Sequence, residues 1–185
     1  MDFLHLYKLL SNKNGYLFLL GESGQVYRSR DAGLSWERLF TPYEGSFFGG
    51  LRKDSDGSIY IYGLSGVVLK SLDNGDSWLQ IQTNTSSILQ DATIIDGDRV
   101  ALVGLGGILL VENQQASSFT IQNIGARSAP AAVLAGNDNQ LLVVGKEGLR
   151  LFAGVGKKDD DSIQRVGQPI FVFNKRDNAP DPVND

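Results

Sequence analysis

The chain of 185 residues carries 17 basic and 21 acidic side chains, a net charge of -4, with no cysteine and one histidine, His5. The absence of cysteine excludes disulfides, cysteine-ligated zinc and thiol catalysis, and a single histidine excludes histidine-rich metal sites. The acidic balance argues against a nucleic-acid partner, which needs a broad basic surface. We therefore expect no metal, no cofactor and no nucleic acid.

The first ten residues, Met1–Leu10, alternate between apolar and polar and include Asp2 and Lys8. They have neither the basic start nor the apolar stretch of a signal peptide, and no later run approaches the roughly 18–20 apolar residues that cross a bilayer. We expect no direct membrane insertion. The expected location is periplasmic or extracellular if a longer precursor carries a signal peptide, and cytoplasmic otherwise.

A Gly-x-x-Gly motif followed by an apolar run occurs four times, at intervals of 42, 41 and 41 residues. Because glycine tolerates positive φ, each motif predicts a hairpin turn between two strands. Repeats of about 40–50 residues with short strands are typical of β-propeller blades. The glycine pairs are Gly21 and Gly24, Gly63 and Gly66, Gly104 and Gly107, and Gly145 and Gly148.

Short β-rich runs flank every glycine pair, and further runs open and close each unit, which gives four strands per repeat. The segment Phe3–Leu10 also has helical spacing, but its place in the repeat predicts the opening strand. Ile170–Phe173 is a candidate last strand, after the charged loop Lys157–Asp161. The flanking runs are Tyr16–Leu20, Val26–Ser29, Ile59–Tyr62, Val67–Ser71, Val100–Val103, Ile108–Glu112, Leu141–Val144 and Leu149–Phe152.

The sequence thus predicts an all-β fold, a β-propeller of about four four-stranded blades. The expected blades are residues 1–43, 44–85, 86–127 and 128–173, and the polar segment 174–185 is expected to be a disordered tail. A ring of four blades is uncommon. We therefore expect either part of a larger propeller or a homodimer in which two copies complete one another.

A second motif, Ser-x-Asp-x-Gly-x-Ser-Trp, keeps the same register and resembles the Asp-box of BNR-type β-propellers. Its aspartate is suited to accept backbone N–H groups of its own loop, its glycine to supply a left-handed residue, and its tryptophan to pack between strands. Glu112 to Phe119 is a decayed third copy. The two full copies contain Ser29, Asp31, Gly33, Ser35 and Trp36, and Ser71, Asp73, Gly75, Ser77 and Trp78.

Together, the glycine pairs and the Asp-boxes in fixed register resemble the Ycf48-like family of photosystem II assembly factors, over residues 3–153. The resemblance implies a non-enzymatic propeller that acts as a protein-binding scaffold or as an assembly or stability factor. Propellers of this kind usually have six or seven blades.

Partner-binding residues are expected in the loops before the opening strands, where Tyr, Phe and Arg are the side chains favoured at binding hot spots. The candidates are Tyr43 in the first of these loops, Arg127 in the third, and Arg52 at the end of the strand that follows the first loop. A carbohydrate-binding or cell-surface module is the alternative. A sialidase- or glycosidase-type hydrolase is a further one, with Glu22, Glu44, Glu112 and Glu147 as its available carboxylates, but their sequence positions form no catalytic constellation.

Overall fold

A computed structural model describes residues 4–11, 15–113, 117–125, 128–137, 140–153 and 155, and the backbone of residues 164–171. Its strands form four antiparallel sheets, each built from four strands consecutive in the chain. The prediction of an all-β fold with four four-stranded blades is confirmed. Among the described residues, no helix is long and apolar enough to cross a membrane.

We number the strands in chain order and call the sheets blades 1 to 4. Blade 1 contains β1 (Leu6–Ser11), β2 (Leu17–Gly21), β3 (Val26–Ser29) and β4 (Glu37–Leu39), and blade 2 contains β5 (Phe47–Arg52), β6 (Ile59–Gly63), β7 (Val68–Ser71) and β8 (Leu79–Ile81). Blade 3 contains β9 (Leu89–Ile95), β10 (Arg99–Gly104), β11 (Ile108–Asn113) and β12 (Ser118–Asn123). Blade 4 contains β13 (Pro130–Ala135), β14 (Leu141–Gly145), β15 (Gly148–Ala153) and β16 (Gln164–Phe171).

Both ends of the repeat can be compared with the sequence. The opening segment forms the strand β1, as its register predicts, and not a helix. The last strand begins at Gln164, six residues before the predicted start, because residues 164–166 pair with the end of β15. The charged loop Lys157–Asp161 and the tail 174–185 lie outside the described residues.

Adjacent blades pack face to face through three apolar clusters. Residues of one strand point alternately to the two faces of the sheet, so each middle blade contributes to two clusters. Between blades 1 and 2, Phe18 and Leu20 meet Ile59 and Ile61. The cluster between blades 2 and 3 includes Tyr60, Tyr62, Val100 and Leu102, and the cluster between blades 3 and 4 includes Ala101, Val103, Leu141 and Val143.

The two glycines of each pair have different roles. Gly63 is extended (φ 179°), but a Cβ there would overlap the carbonyl oxygen of Ser46, which accepts the backbone N–H of Leu64 at 2.9 Å. Gly66 has φ +69° and lies equally close to the Thr85 carbonyl. Only the second glycine needs positive φ, and the first is needed for close approach. The first glycines of the other pairs approach the carbonyls of His5, Ile88 and Ala129 in the same way.

A partly buried ionic cluster lies between blades 2 and 3, beside the apolar contacts. Glu112 accepts the hydroxyl of Tyr60 at 2.5 Å and the backbone N–H of Val100 at 3.0 Å. Lys53 Nζ lies 3.4 Å from both Glu112 and Asp98. Burial and the adjacent carboxylate raise the pKa of Tyr60 far above its ordinary value, so the phenol remains the hydrogen donor of this pair.

The glycine contacts can be tested with a pair of alanine substitutions. Gly63→Ala forces a Cβ against backbone and disturbs the Leu64 hydrogen bond, so we expect a loss of about 3 kcal/mol in the free energy of unfolding. Gly97→Ala meets no atom within 4 Å and has φ +73°, so only left-handed strain of about 1 kcal/mol is expected. Urea denaturation of both variants measures the difference. Equal losses would contradict the close-approach role of Gly63.

Candidate functional site

Each blade has two distinct edges. The turns between second and third strands lie with the segments that join successive blades, as the hydrogen bond from Gly24 N–H to the Gly45 carbonyl (2.9 Å) shows. We call this side the linker edge. The Asp-box loops, which join third to fourth strands, lie at the opposite side, the Asp-box edge, together with the turns between first and second strands.

The Asp-box loops are closed by hydrogen bonds to a central carboxylate. In the second loop, Asp73 Oδ1 accepts the Ser71 hydroxyl at 2.8 Å and the Ser77 backbone N–H at 2.9 Å, and Oδ2 accepts the Ser77 hydroxyl at 2.5 Å. Ser71 Oγ in turn accepts the backbone N–H of Gly75 at 2.7 Å. The first loop has the same contacts, made by Ser29, Asp31, Gly33 and Ser35.

These hydrogen bonds favour the ionised carboxylate. The serine hydroxyls (Ser35 and Ser77) and then the backbone N–H groups lower the pKa of Asp31 and Asp73 to about 2. Each loop needs two left-handed residues, not the single glycine that the motif suggests, because Ala32 (φ 58°) and Asn74 (φ 57°) precede their glycines in that conformation. Both aspartates thus hold their own loop closed.

Arg28 connects blade 1 to the Asp-box loop of blade 2. Its side chain is 2% exposed and donates to Glu37 Oε1 (2.7 Å), to the Asn74 carbonyl (2.5 Å) and to Asp76 Oδ1 (2.7 Å). Burial of an arginine is favourable only when its donors are paired in this way. The arrangement fixes the second loop against its neighbour.

The two Asp-box tryptophans differ in their surroundings. Trp78 packs against the cluster between blades 1 and 2, and Phe119 is buried at the register-equivalent place of blade 3. Trp36 is 37% exposed, so it departs from the expected packing into a groove. It lies on the face of blade 1 that has no neighbouring sheet among the described residues. Its indole N–H donates to the Gly33 carbonyl at 3.1 Å.

The structure places Tyr43 and Arg52, two of the three candidate partner-binding residues, at opposite edges of the blades. Tyr43 is half-buried at the linker edge, where its hydroxyl donates to the Leu64 carbonyl at 2.9 Å. Arg52 ends β5 at the Asp-box edge, and its guanidinium donates to Asp54 at 2.7 Å. Arg127 lies outside the described residues.

A groove lies at the linker edge of blade 1, and two residues that line it, Arg38 and Phe40, are not among the candidates predicted from the sequence. It has a volume of about 190 Å³ and is lined by the turn residues Ser23 and Gly24 and by residues 38–41, 43 and 44. Phe40 is 84% exposed, and the Arg38 guanidinium lies over its ring, 5.7 Å from the centroid. Because Leu39 between them is buried, strand alternation is the signal that would have placed both side chains outward.

The linker edge of blade 1 also carries the only histidine. The backbone N–H of His5 donates to Glu22 Oε1 at 2.7 Å, and this bond holds the pKa of Glu22 below its usual range. The ring of Tyr7 lies 6.4 Å from that of His5 and 5.3 Å from that of Phe48. Within the described residues there is no group of three or more His, Asp or Glu side chains suited to a metal ion.

The lowered aspartate pKa predicts a pH dependence for Asp73→Asn and Asp31→Asn. A folded-state pKa of about 2, below the ordinary 3.8, contributes stability that is complete above about pH 4 and is lost as the pH falls through 2. We expect both variants to be less stable than the wild type at pH 7 and to approach it near pH 2. Urea unfolding across this range tests the prediction, which parallel curves would contradict.

The tryptophans provide a matched pair. Trp78→Ala removes a packed indole and should cost about 3–5 kcal/mol, whereas Trp36→Ala should cost clearly less because its indole is partly in water. Thermal unfolding compares the two variants at a protein concentration low enough that no second chain covers Trp36. Equal losses, or a Trp78→Ala variant whose unfolding barely changes, would contradict the packing described.

No protein-family model matches the chain, and no curated protein sequence matches it. Solved structures match most of it. YCF48 bound to D1 peptide matches with a TM-score of 0.61 and 14% identity, over 80% of this chain and 48% of that one. Virginiamycin B lyase from Staphylococcus aureus matches with a TM-score of 0.70 and 14% identity, over 87% and 55%. The Cps50 (Swd1) β-propeller domain from Myceliophteria thermophila matches with 0.60 and 11%, over 88% and 57%.

The chain therefore spans about half the length of these structures. At such low identity, the similarity shows the fold alone. The matched structures include an enzyme, virginiamycin B lyase, as well as other proteins. The four blades and the neighbours agree on one conclusion: the chain has the fold of part of a β-propeller.

Proposed function

We propose that the chain is a non-enzymatic protein-binding scaffold, similar in role to the Ycf48-like assembly factors, and that it binds an extended peptide segment at the linker edge of blade 1. The single observation that carries the proposal is the exposed Phe40 ring with the Arg38 guanidinium over it, beside a groove. An aromatic ring and an arginine are the side-chain types that contribute most to protein interfaces.

Register within the repeat supports this choice. The positions equivalent to Arg38 and Phe40 in blade 2, 42 residues on, are Gln80 and Gln82. The fold therefore does not require an aromatic ring or a cation there. One of the solved neighbours, YCF48, is bound to a peptide, which favours a peptide as ligand.

The environments of the four glutamates favour a non-enzymatic role. Glu22 is held by His5, Glu112 is enclosed with Tyr60 and Lys53, and Glu147 pairs with Arg150. Glu44 borders the groove. A retaining glycosidase needs two carboxyl groups about 5–5.5 Å apart on a substrate site, whereas these side chains belong to different blades or are engaged elsewhere.

One experiment tests peptide binding at the groove. The purified chain, labelled with a fluorophore, is applied to an array of random 12-residue peptides, and hits are measured by fluorescence anisotropy. We expect Arg38→Ala and Phe40→Ala each to weaken binding about 10-fold or more, which corresponds to about 1.4 kcal/mol. The matched variants Gln80→Ala and Gln82→Ala should bind like the wild type.

Each other outcome would count against a specific part of the proposal. If Gln80→Ala and Gln82→Ala weakened peptide binding equally, the binding site would not be at Arg38 and Phe40 of blade 1. Hydrolysis of fluorogenic glycosides by the wild-type chain would overturn the non-enzymatic role.

The carbohydrate-binding alternative is favoured by one observation, the exposure of the Phe40 and Tyr7 rings, since flat aromatic surfaces can stack on sugars. Binding on a glycan array that Phe40→Ala abolishes, with no peptide binding, would select this alternative.

A further inference from the structure

The first blade has an apolar face without a neighbouring sheet among the described residues. Phe18 and Leu20 point to blade 2, so by strand alternation Leu17 and Leu19 point the opposite way, with Tyr27 beside them across the β2–β3 pairing. Leu9, opposite Leu19 on β1, is 57% exposed. We call this surface, with Trp36, the leading face.

The leading face has the composition of a blade interface. Adding 42 to the numbers of Leu17, Leu19, Tyr27 and Trp36 gives Ile59, Ile61, Leu69 and Trp78, which all pack against blade 1. Leu9 corresponds in strand pairing to Gly50, Ala92 and Val133 of the later blades, and Val133 is buried in the interface between blades 3 and 4. The leading face is therefore shaped to receive the side of another blade.

The fourth blade has the complementary surface. Val133, Leu141 and Val143 point to blade 3, so their alternating neighbours point outward. Leu134 is 65% exposed and Val144 41%. This surface, the trailing face, consists of Ala132, Leu134, Leu142, Val144, Leu149 and Leu151 among the described side chains.

The trailing face corresponds in repeat register to the face of blade 1 that packs on blade 2. Leu142 and Val144 lie three repeats after Phe18 and Leu20, which form the blade 1 side of the first interface. One chain thus carries both halves of the interface that it repeats three times internally. The leading face lies on blade 1 and the trailing face on blade 4, so the two faces do not pack against each other within one row of four blades.

We infer that the occupant of each face is a second copy of this chain, with the trailing face of one copy packed on the leading face of the other. In a two-fold dimer both contacts form at once, the arrangement closes, and both apolar faces leave water. Length agrees with this choice, because one chain covers 48–57% of the solved propellers described above, and two copies supply about one whole propeller.

The dimer leaves the proposed peptide groove accessible. Gln80 and Gln82 remain exposed although blade 1 covers the rest of that face of blade 2. Their register equivalents, Arg38 and Phe40, would lie at the same rim of the new interface. The inference does not depend on the proposed peptide-binding function.

Light scattering after size-exclusion chromatography of the full 185-residue chain tests the inference. The wild type should have about twice the monomer mass of 20.1 kDa. Leu9→Glu on the leading face and Leu134→Glu on the trailing face place a charge in the contact and should each give a monomer. The control, Leu72→Glu, changes a leucine that is 71% exposed in the middle of the chain and should remain dimeric.

Mixing the two monomeric variants identifies the head-to-tail arrangement. A pair of one Leu9→Glu chain and one Leu134→Glu chain has one interface free of both substitutions, so mixing should restore a species of twice the monomer mass. An isologous contact joins the same face of both copies. Only one of the two variants would then be monomeric, and mixing would not make it dimeric.

Three results would overturn the inference: a wild-type monomer at every concentration, a dimer that both glutamate variants leave intact, and monomeric variants that do not recover on mixing. Far-ultraviolet circular dichroism checks that each variant is folded. Because both altered leucines are more than half exposed in one copy, a charge there does not oppose folding of the single chain.

Discussion

The structure depends on one constraint: a four-stranded sheet with apolar side chains on both faces is not stable by itself. Each blade therefore needs its neighbours, and stability arises from blade-to-blade contacts more than from any blade alone. Ile59 and Ile61 show this directly, since they are buried by blade 1 while Tyr60 and Tyr62, between them, are buried by blade 3. Both faces of one short strand are thus fixed by other parts of the chain.

The Asp-box loops and glycine pairs hold the loops and linkers at the two edges of the blades. Each loop is closed within itself by its aspartate, and Arg28 then attaches the second loop to blade 1. Gly63 acts at the other edge, where its lack of a side chain lets it lie against the Ser46 carbonyl in the linker from blade 1 to blade 2. Residues that look like independent turn signals in the sequence therefore act together to hold the loops and linkers that connect the blades.

Much of the fold could be predicted from the sequence because the repeat displays it four times. Glycine spacing located the hairpins, and alternation located the strands. Burial of Trp36 could not be predicted, because the same motif is packed at Trp78 and partly exposed at Trp36, and the difference lies in the neighbouring sheet. Tyr43 and Arg52, near each other in sequence, are separated by the length of β5. The surface of Arg38 and Phe40 is absent from the sequence prediction because an aromatic residue in a β-rich run is usually buried.

The ionic cluster of Glu112, Tyr60 and Lys53 favours the packing of blade 3 on blade 2 over its packing on any other blade. The sheets of a repeat protein resemble one another, so an incorrect pairing during folding buries nearly the same apolar surface as the correct one. Blade 3 placed against any sheet other than blade 2 would bury Glu112 without its lysine and its phenol, and an unpaired buried charge costs several kcal/mol. The junction at the centre of the chain thus discriminates between neighbours that hydrophobic contacts alone would treat as interchangeable.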